Sequence, residues 1–167
     1  RTVPITVSAS SMYRLWVNGR PVGRGPAREW LGAIGIDRHD IAPFLLPGEN
    51  VLSALVHNAG EDTNAFQKTP PGFYLAGVLA GCDISTGHAR WEGRRLDGWD
   101  RNSTRMHADY KRFNEEIDMR RYRPEVWERG LGDGWRPVAP TDAVAALRPV
   151  MIPREIPPLR ECTLGQT

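Results

Sequence analysis

Little in this chain of 167 residues points to a metal or a redox centre. It has 2 cysteines, Cys82 and Cys162, with no C-x-x-C and no paired histidine spacing, so a zinc site is not expected. Cys82 follows an apolar stretch and reads as a small buried hydrophobe rather than half of a disulfide. The 4 histidines, His39, His57, His88 and His107, show no ligand spacing either. Lysine is almost absent. Lys68 and Lys111 stand among 22 Lys+Arg, a bias that reads as codon composition. Basic and acidic residues nearly cancel, with 20 Asp+Glu and a net charge of +2, which gives no argument for nucleic-acid binding. The densest basic stretch, Arg105 to Arg123, is interleaved with Glu115, Glu116 and Asp118 and reads the same way. No apolar run approaches the ~18 residues of a membrane span. The 40% hydrophobic content is too high for a disordered chain, and the length suits one domain that folds without metal or disulfide staples. The chain opens on Arg1 without a charged-then-apolar leader, so it reads as a piece of something longer, and its compartment, secreted or cytoplasmic, stays open.

What is present reads as strands. Val3 to Ser8 alternates apolar and polar residues with a period of two. Met12 to Val17 and Arg20 to Gly25 flank Asn18-Gly19, a two-residue hairpin signal because both positions accept positive φ. Gly25 to Gly35 reads as a loop. Asp37 to Leu46 reads as an approach followed by one helical turn, capped by Asp40. Pro47-Gly48-Glu49-Asn50 is a tight turn. Val51 to His57 is apolar on both faces, which places it centrally in a sheet. Asn58 to Gly72 is a long irregular stretch, and such loops are often functional. Phe73 to Ala80 is a further strand turned by Gly81, with Cys82 to Ile84 or His88 to Trp91 continuing the sheet. Beyond Glu92 the tryptophans are spread among charges. Glu115 to Arg121 reads as a strand, Pro124 to Trp127 as a helical turn, and Ile152 to Pro158 as an extended, Pro-rich, non-central segment. Short strands with turn signals every few residues and no convincing amphipathic helix predict an all-β sandwich.

The stretch Tyr13-Arg14-Leu15-Trp16-Val17-Asn18-Gly19-Arg20-Pro21-Val22-Gly23-Arg24-Gly25-Pro26-Ala27-Arg28 resembles the accessory β-sandwich of bacterial α-L-rhamnosidases, glycoside hydrolase family 78. The resemblance continues in Asp40-Ile41-Ala42-Pro43-Phe44-Leu45 and Pro47-Gly48-Glu49-Asn50-Val51-Leu52. It recurs at Glu115, Asp118 and Arg120, where Asn114 and Met119 depart from that family's Gly-Glu-x-x-Asp-Ala-Arg, and closes in Ile156-Pro157-Pro158-Leu159-Arg160-Glu161. The resemblance implies a galactose-binding-like jelly-roll β-sandwich with short helical turns over residues 1–160, followed by a tail or linker, 161–167. It also implies a partner, the catalytic (α/α)6 domain of the same chain, which carries that family's catalytic acids. Hydrolysis of a glycoside needs two carboxyl groups facing each other ~5–9.5 Å apart across the bond. Glu115, Glu116 and Asp118 are near neighbours on one predicted strand, so they read as solvated or paired with Arg120 and Arg121, and no catalytic residue is assigned.

A second reading is a carbohydrate-binding module for rhamnose- or galactose-containing glycans. Sugars are held by short polar side chains and by an aromatic ring against the sugar's apolar face. The two longest loops supply both: Trp30 as stacking platform, Asp62 and Asn64 as hydroxyl partners. Some rhamnosidase accessory domains bind rhamnose with calcium in such loops. The Asp-Asn pair wanted in the first loop is absent here, so no cofactor is expected, calcium being the one alternative.

Overall fold

The computed structural model describes residues 2–29, 32–63, 66–100, 103–104, 114–141 and 150–158. Among the described residues ten strands run in chain order: β1 Pro4–Ala9, β2 Met12–Val17, β3 Arg20–Gly25, β4 Ala33–Asp40, β5 Leu52–His57, β6 Phe73–Leu79, β7 Cys82–Asp83, β8 Glu92–Gly93, β9 Arg136–Pro137 and β10 Val150–Pro153. One short helix, α1 (Pro124–Arg129), precedes β9. A five-stranded sheet in the order β10-β4-β1-β6-β7 faces a three-stranded sheet in the order β3-β2-β5, and β8 and β9 pair separately. All the pairings are antiparallel except β10 on β4. The protein is an all-β sandwich, as its alternation predicts.

The core lies between the two sheets. Ile5, Val7 and Ala9 of β1 and Leu75 of β6 meet Tyr13, Leu15 and Val17 of β2, and Ile41 closes the cluster. The odd-numbered residues of β1 and β2 point to one face, which is what a period of two demands. The β2–β3 hairpin turns at Asn18 (φ 54°) and Gly19 (φ 75°), the paired positive φ values of a type I′ turn. Asn18 also fastens the neighbouring loop. Its Nδ2 donates to the Phe44 carbonyl at 3.0 Å and its Oδ1 accepts the Val51 N–H at 2.9 Å.

A further layer covers the outer face of the smaller sheet. Trp16, pointing away from the core, is buried with Val126 and Trp127 of α1, and Leu55, Leu96, Trp99 and Trp135 pack around them. Pro124 sits in the first turn of α1, and Gly130 ends it with a left-handed φ of 65°. The helix therefore extends beyond the expected 124–127 turn. Ser53 Oγ of β5 donates to the Glu128 carbonyl at 3.1 Å and ties helix to sheet.

Several expectations are corrected. β5 is an edge strand, paired with β2 alone. Its two apolar faces report a layer packed on each side, not a strand on each side. Residues 33–35 belong to β4 rather than to a loop. Gly35 is there because a Cβ would stand 2.6 Å from the Ala27 carbonyl oxygen, so it serves a close approach rather than a turn. The strand runs on to Asp40, and the helical turn is a single 3-10 turn, Ala42–Phe44. Asp40 still binds that turn, accepting the Ala42 N–H at 3.1 Å and the Val3 N–H at 2.8 Å, but the capping position itself is Ile41. Residues 115–121 form no strand; one bridge joins Ile117 to Trp99. Cys82 is exposed, because Ala80 (φ 51°) and Gly81 (φ 85°) turn the chain and leave it on a two-residue outermost strand. Cys162 and the expected tail lie outside the described residues.

Candidate functional site

One end of the sandwich gathers the two long loops. The Ser10-Ser11 corner between β1 and β2 anchors the stem of the 58–72 loop. Asn58 Nδ2 donates to Ser10 Oγ at 2.7 Å, the Ala59 N–H donates to Ser11 Oγ at 3.1 Å, and Ser10 exchanges bonds with Gly72 through N–H to carbonyl at 3.0 Å and Oγ to N–H at 3.2 Å. Within the loop, Thr63 and Phe66 bond each other's backbone, Thr63 N–H to the Phe66 carbonyl at 2.8 Å. The 25–29 segment reaches this loop through Arg28, whose guanidinium carbon lies 5.8 Å from the Phe66 ring centroid, a cation–π distance. The two loops thus meet at one end. Of the sugar-contacting residues expected there, Trp30 and Asn64 lie outside the described residues. Asp62 is exposed, and its Oδ1 accepts the Lys68 N–H at 2.8 Å, so this carboxylate braces the loop.

Beneath the 25–29 segment lies a polar cluster that sequence reasoning missed. Tyr13 Oη donates to Asp37 Oδ2 at 2.5 Å and lies 2.9 Å from His39 Nε2. A carboxylate has no proton to give, so the phenol donates to Asp37 and its oxygen accepts from His39 Nε2–H. Arg154, just past β10, pairs through Nε with Asp37 Oδ1, and its NH2 donates to the Arg24 carbonyl at 3.1 Å. Asp37 is 2% exposed and the Arg154 side chain 15%. Burial first, and then the Asp37 carboxylate, push the Tyr13 phenol far above its ordinary value. Burial holds the His39 imidazole below its ordinary value, against the pull of Asp37 and with the push of Arg154. The hydrogen bond to Asp37 raises Arg154 further. Glycines make the room. A Cβ on Gly25 would stand 1.9 Å from Asp37 Oδ2, and one on Gly23 2.5 Å from His39 Cε1. The signal in the sequence is Asp37 and His39 alternating with Ile36 and Arg38, on a strand that by composition reads as a loop and the approach to a helical turn.

A separate open cleft of about 770 Å³ lies on the outer layer, lined by Arg95, Asp97, Trp99, Asp100, Glu116 and Asp118 among others. Its carboxylates are engaged much as expected. Asp118 pairs with Arg120 at 2.9 Å and with Arg121 at 3.7 Å, and the Arg120 hydrogen bond draws its carboxyl below the ordinary range. Glu115 accepts from Trp99 Nε1 at 2.8 Å. Among the described residues no three His, Cys, Asp or Glu side chains gather as a metal site.

The strand order and the loop end described above can be set beside known structures. The chain is similar to a GH78 family rhamnosidase. The solved structure is that of the enzyme from Bacillus sp. GL1, which superposes with a TM-score of 0.76 at 30% sequence identity. The match covers 94% of this chain and 17% of the rhamnosidase chain. No family model and no curated protein matches. The likeness supports a relation to the GH78 rhamnosidases, the family that the Asn18-Gly19 hairpin and its flanking residues resemble. It aligns this β-sandwich with a minor part of the rhamnosidase.

Proposed function

We propose that this chain is a non-catalytic β-sandwich module of an α-L-rhamnosidase-like glycoside hydrolase, packing against or orienting the catalytic (α/α)6 domain. The observation that carries this reading is the extent of the likeness: nearly all of this chain superposes on about a sixth of a rhamnosidase. Glu115, Glu116 and Asp118 lie close together on one segment, and Asp118 is paired with Arg120. The expected result is no turnover of an aryl α-L-rhamnoside by the 167-residue chain at high protein concentration. Turnover that survives repurification and disappears in Glu116→Gln would overturn the proposal.

A second reading, an autonomous carbohydrate-binding module, is favoured by the contact of Arg28 with Phe66, which brings the two long loops to one end. On that reading Trp30, Asp62 and Asn64 contact rhamnose or galactose. An open site of this kind holds a monosaccharide weakly, with a Kd on the order of 0.1–10 mM, because few polar contacts survive the cost of immobilisation. Calorimetry or NMR titration with each sugar, with and without calcium, decides it. Binding abolished by Trp30→Ala or Asp62→Ala places the sugar in these loops. Binding that persists in both variants places it elsewhere, and no binding at tens of millimolar (about the ceiling such titrations reach) leaves the packing module.

A further inference from the structure

β10 is a lightly held strand with one deep anchor. It is four residues long, and Val150 and Met151 are 62% and 48% exposed. Its four residues pair in parallel with Ala33 to Ile36 of β4, flanked by the Val150 N–H to the Gly32 carbonyl at 2.9 Å and the Arg154 N–H to the Ile36 carbonyl at 3.0 Å. Strands with few buried apolar contacts open locally at low free energy. The exception to this light attachment is Arg154, whose side chain passes inward to the buried Asp37.

The charges around that anchor balance only while His39 is neutral. Asp37 contributes one negative charge and Arg154 one positive charge. His39 is linked to Asp37 through a single intervening atom, the Tyr13 hydroxyl oxygen. The groups that face His39 are Tyr13 from β2, Asp37 from its own strand and Arg154 from beyond β10. From β1 the uncharged Ile5 lies opposite it, and from β3 Gly23 lies against the ring. No second carboxylate is among them to absorb an added charge. Protonating His39 therefore leaves two cations on one buried anion, and an excess buried charge is strongly unfavourable. The cheapest relief is to let the cation that solvent can reach leave. Arg154 is that cation, since it is partly exposed and sits on the loosely held edge. The imidazolium then remains as the partner of Asp37.

We propose that β10 is a releasable strap, fastened at neutral pH by the Asp37–Arg154 pair and let go in acid as protonated His39 replaces Arg154 beside Asp37. The direction follows from linkage. Burial and Arg154 hold the imidazole below its ordinary value while the strap is fastened, and departure of Arg154 removes one of those two effects, so the released state binds the proton more tightly. The fastened state is thus favoured above the ordinary histidine range and loses ground as pH falls through it.

The test is amide hydrogen exchange of the 167-residue chain between about pH 7.5 and pH 5, corrected for the intrinsic pH dependence of exchange, with the His39 ring titrated by NMR in parallel. The expected result is a loss of protection of at least about tenfold at Val150 and Arg154, with β1 and β6 amides unchanged and a midpoint that coincides with the His39 titration. In His39→Gln, which keeps a donor for Tyr13 but cannot charge, the strap stays protected at both pH values. In Arg154→Gln it is unprotected at both. Release at a midpoint unrelated to His39, equal release in His39→Gln, parallel loss across β1 and β6, or no release at all would each overturn the proposal. The wild-type comparison of midpoints decides the matter even where a variant does not fold.

Discussion

Replacing Asp37 with Ala lowers the stability of the fold by about 3–5 kcal/mol, the range found when one partner of a buried ion pair is removed. The carboxylate is 2% exposed and receives both Tyr13 Oη and Arg154 Nε. Without it the guanidinium loses its counter-charge, and the phenol of Tyr13, a residue 1% exposed, loses its acceptor. Each of these is a penalty of desolvation rather than the loss of one bond. Against a total stability of roughly 5–15 kcal/mol for a typical domain, that is enough to unfold a substantial fraction of the protein. The origin of the loss is testable by a double variant. Asp37→Asn with Arg154→Met leaves no orphan charge and is expected to be less destabilised than the two single changes added together. Urea denaturation of the wild type, Asp37→Ala, Asp37→Asn, Arg154→Met and the double variant measures this. A loss below about 1 kcal/mol for Asp37→Ala, or strict additivity in the cycle, would show that Asp37 does not hold Tyr13 and Arg154 as described.

This cluster also shows where the sequence was legible and where it was not. The β2–β3 hairpin could be read because its cause is local. A six-residue run rich in apolar and aromatic residues, then Asn18-Gly19 at positive φ, requires no knowledge of the rest of the chain. The same holds for β1, β6 and the Pro124 start of α1. What stayed hidden depended on partners remote in sequence. β4 reads as a loop because Gly32 and Gly35 dominate its start. Gly35 is needed only because the Ala27 carbonyl passes close by, and that approach is a tertiary fact. Once β4 is misread, Asp37 and His39 lose the alternation that would have turned them inward. Their partner Arg154 lies 117 residues from Asp37, just past a strand whose end, with Pro153 and Pro157, reads as merely extended. Val51 to His57 misled in a different way. Apolar residues on both faces are consistent with a central strand, but here they reflect α1 packed on the outer face of an edge strand. The expected sugar contacts were legible as residue types only. Trp30 and Asn64 fall outside the described residues, while the meeting of the two loops rests on Arg28 and Phe66, a pairing of distant residues that composition does not show.

The second large effect is at Trp16. This side chain is 4% exposed, yet it points out of the sandwich, and the outer layer is built around it. Val126 and Trp127 of α1 pack on it directly. Trp127 in turn stacks edge-on with Trp99 at 5.3 Å and Tyr122 at 5.2 Å, so the aromatic cluster is continuous from the sheet to the segment around Ile117. Trp16→Ala is expected to cost about 3–5 kcal/mol, the usual range for an aromatic truncated in a packed core. The consequence is asymmetric. The Ile5, Val7, Leu15 and Leu75 core lies on the other side of β2 and touches none of these groups, so the two facing sheets remain. The layer of α1 and residues 96–99 loses its central contact, and the near-UV circular dichroism of the clustered tryptophans falls while the far-UV strand signal is kept. Trp16→Leu restores apolar volume without the ring and recovers part of the stability. A Trp16→Ala protein that keeps its near-UV signal, or loses less than about 1 kcal/mol in urea denaturation, would mean that α1 is held by Ser53 and Glu128 alone and that the outer layer does not depend on the sheet's aromatic face.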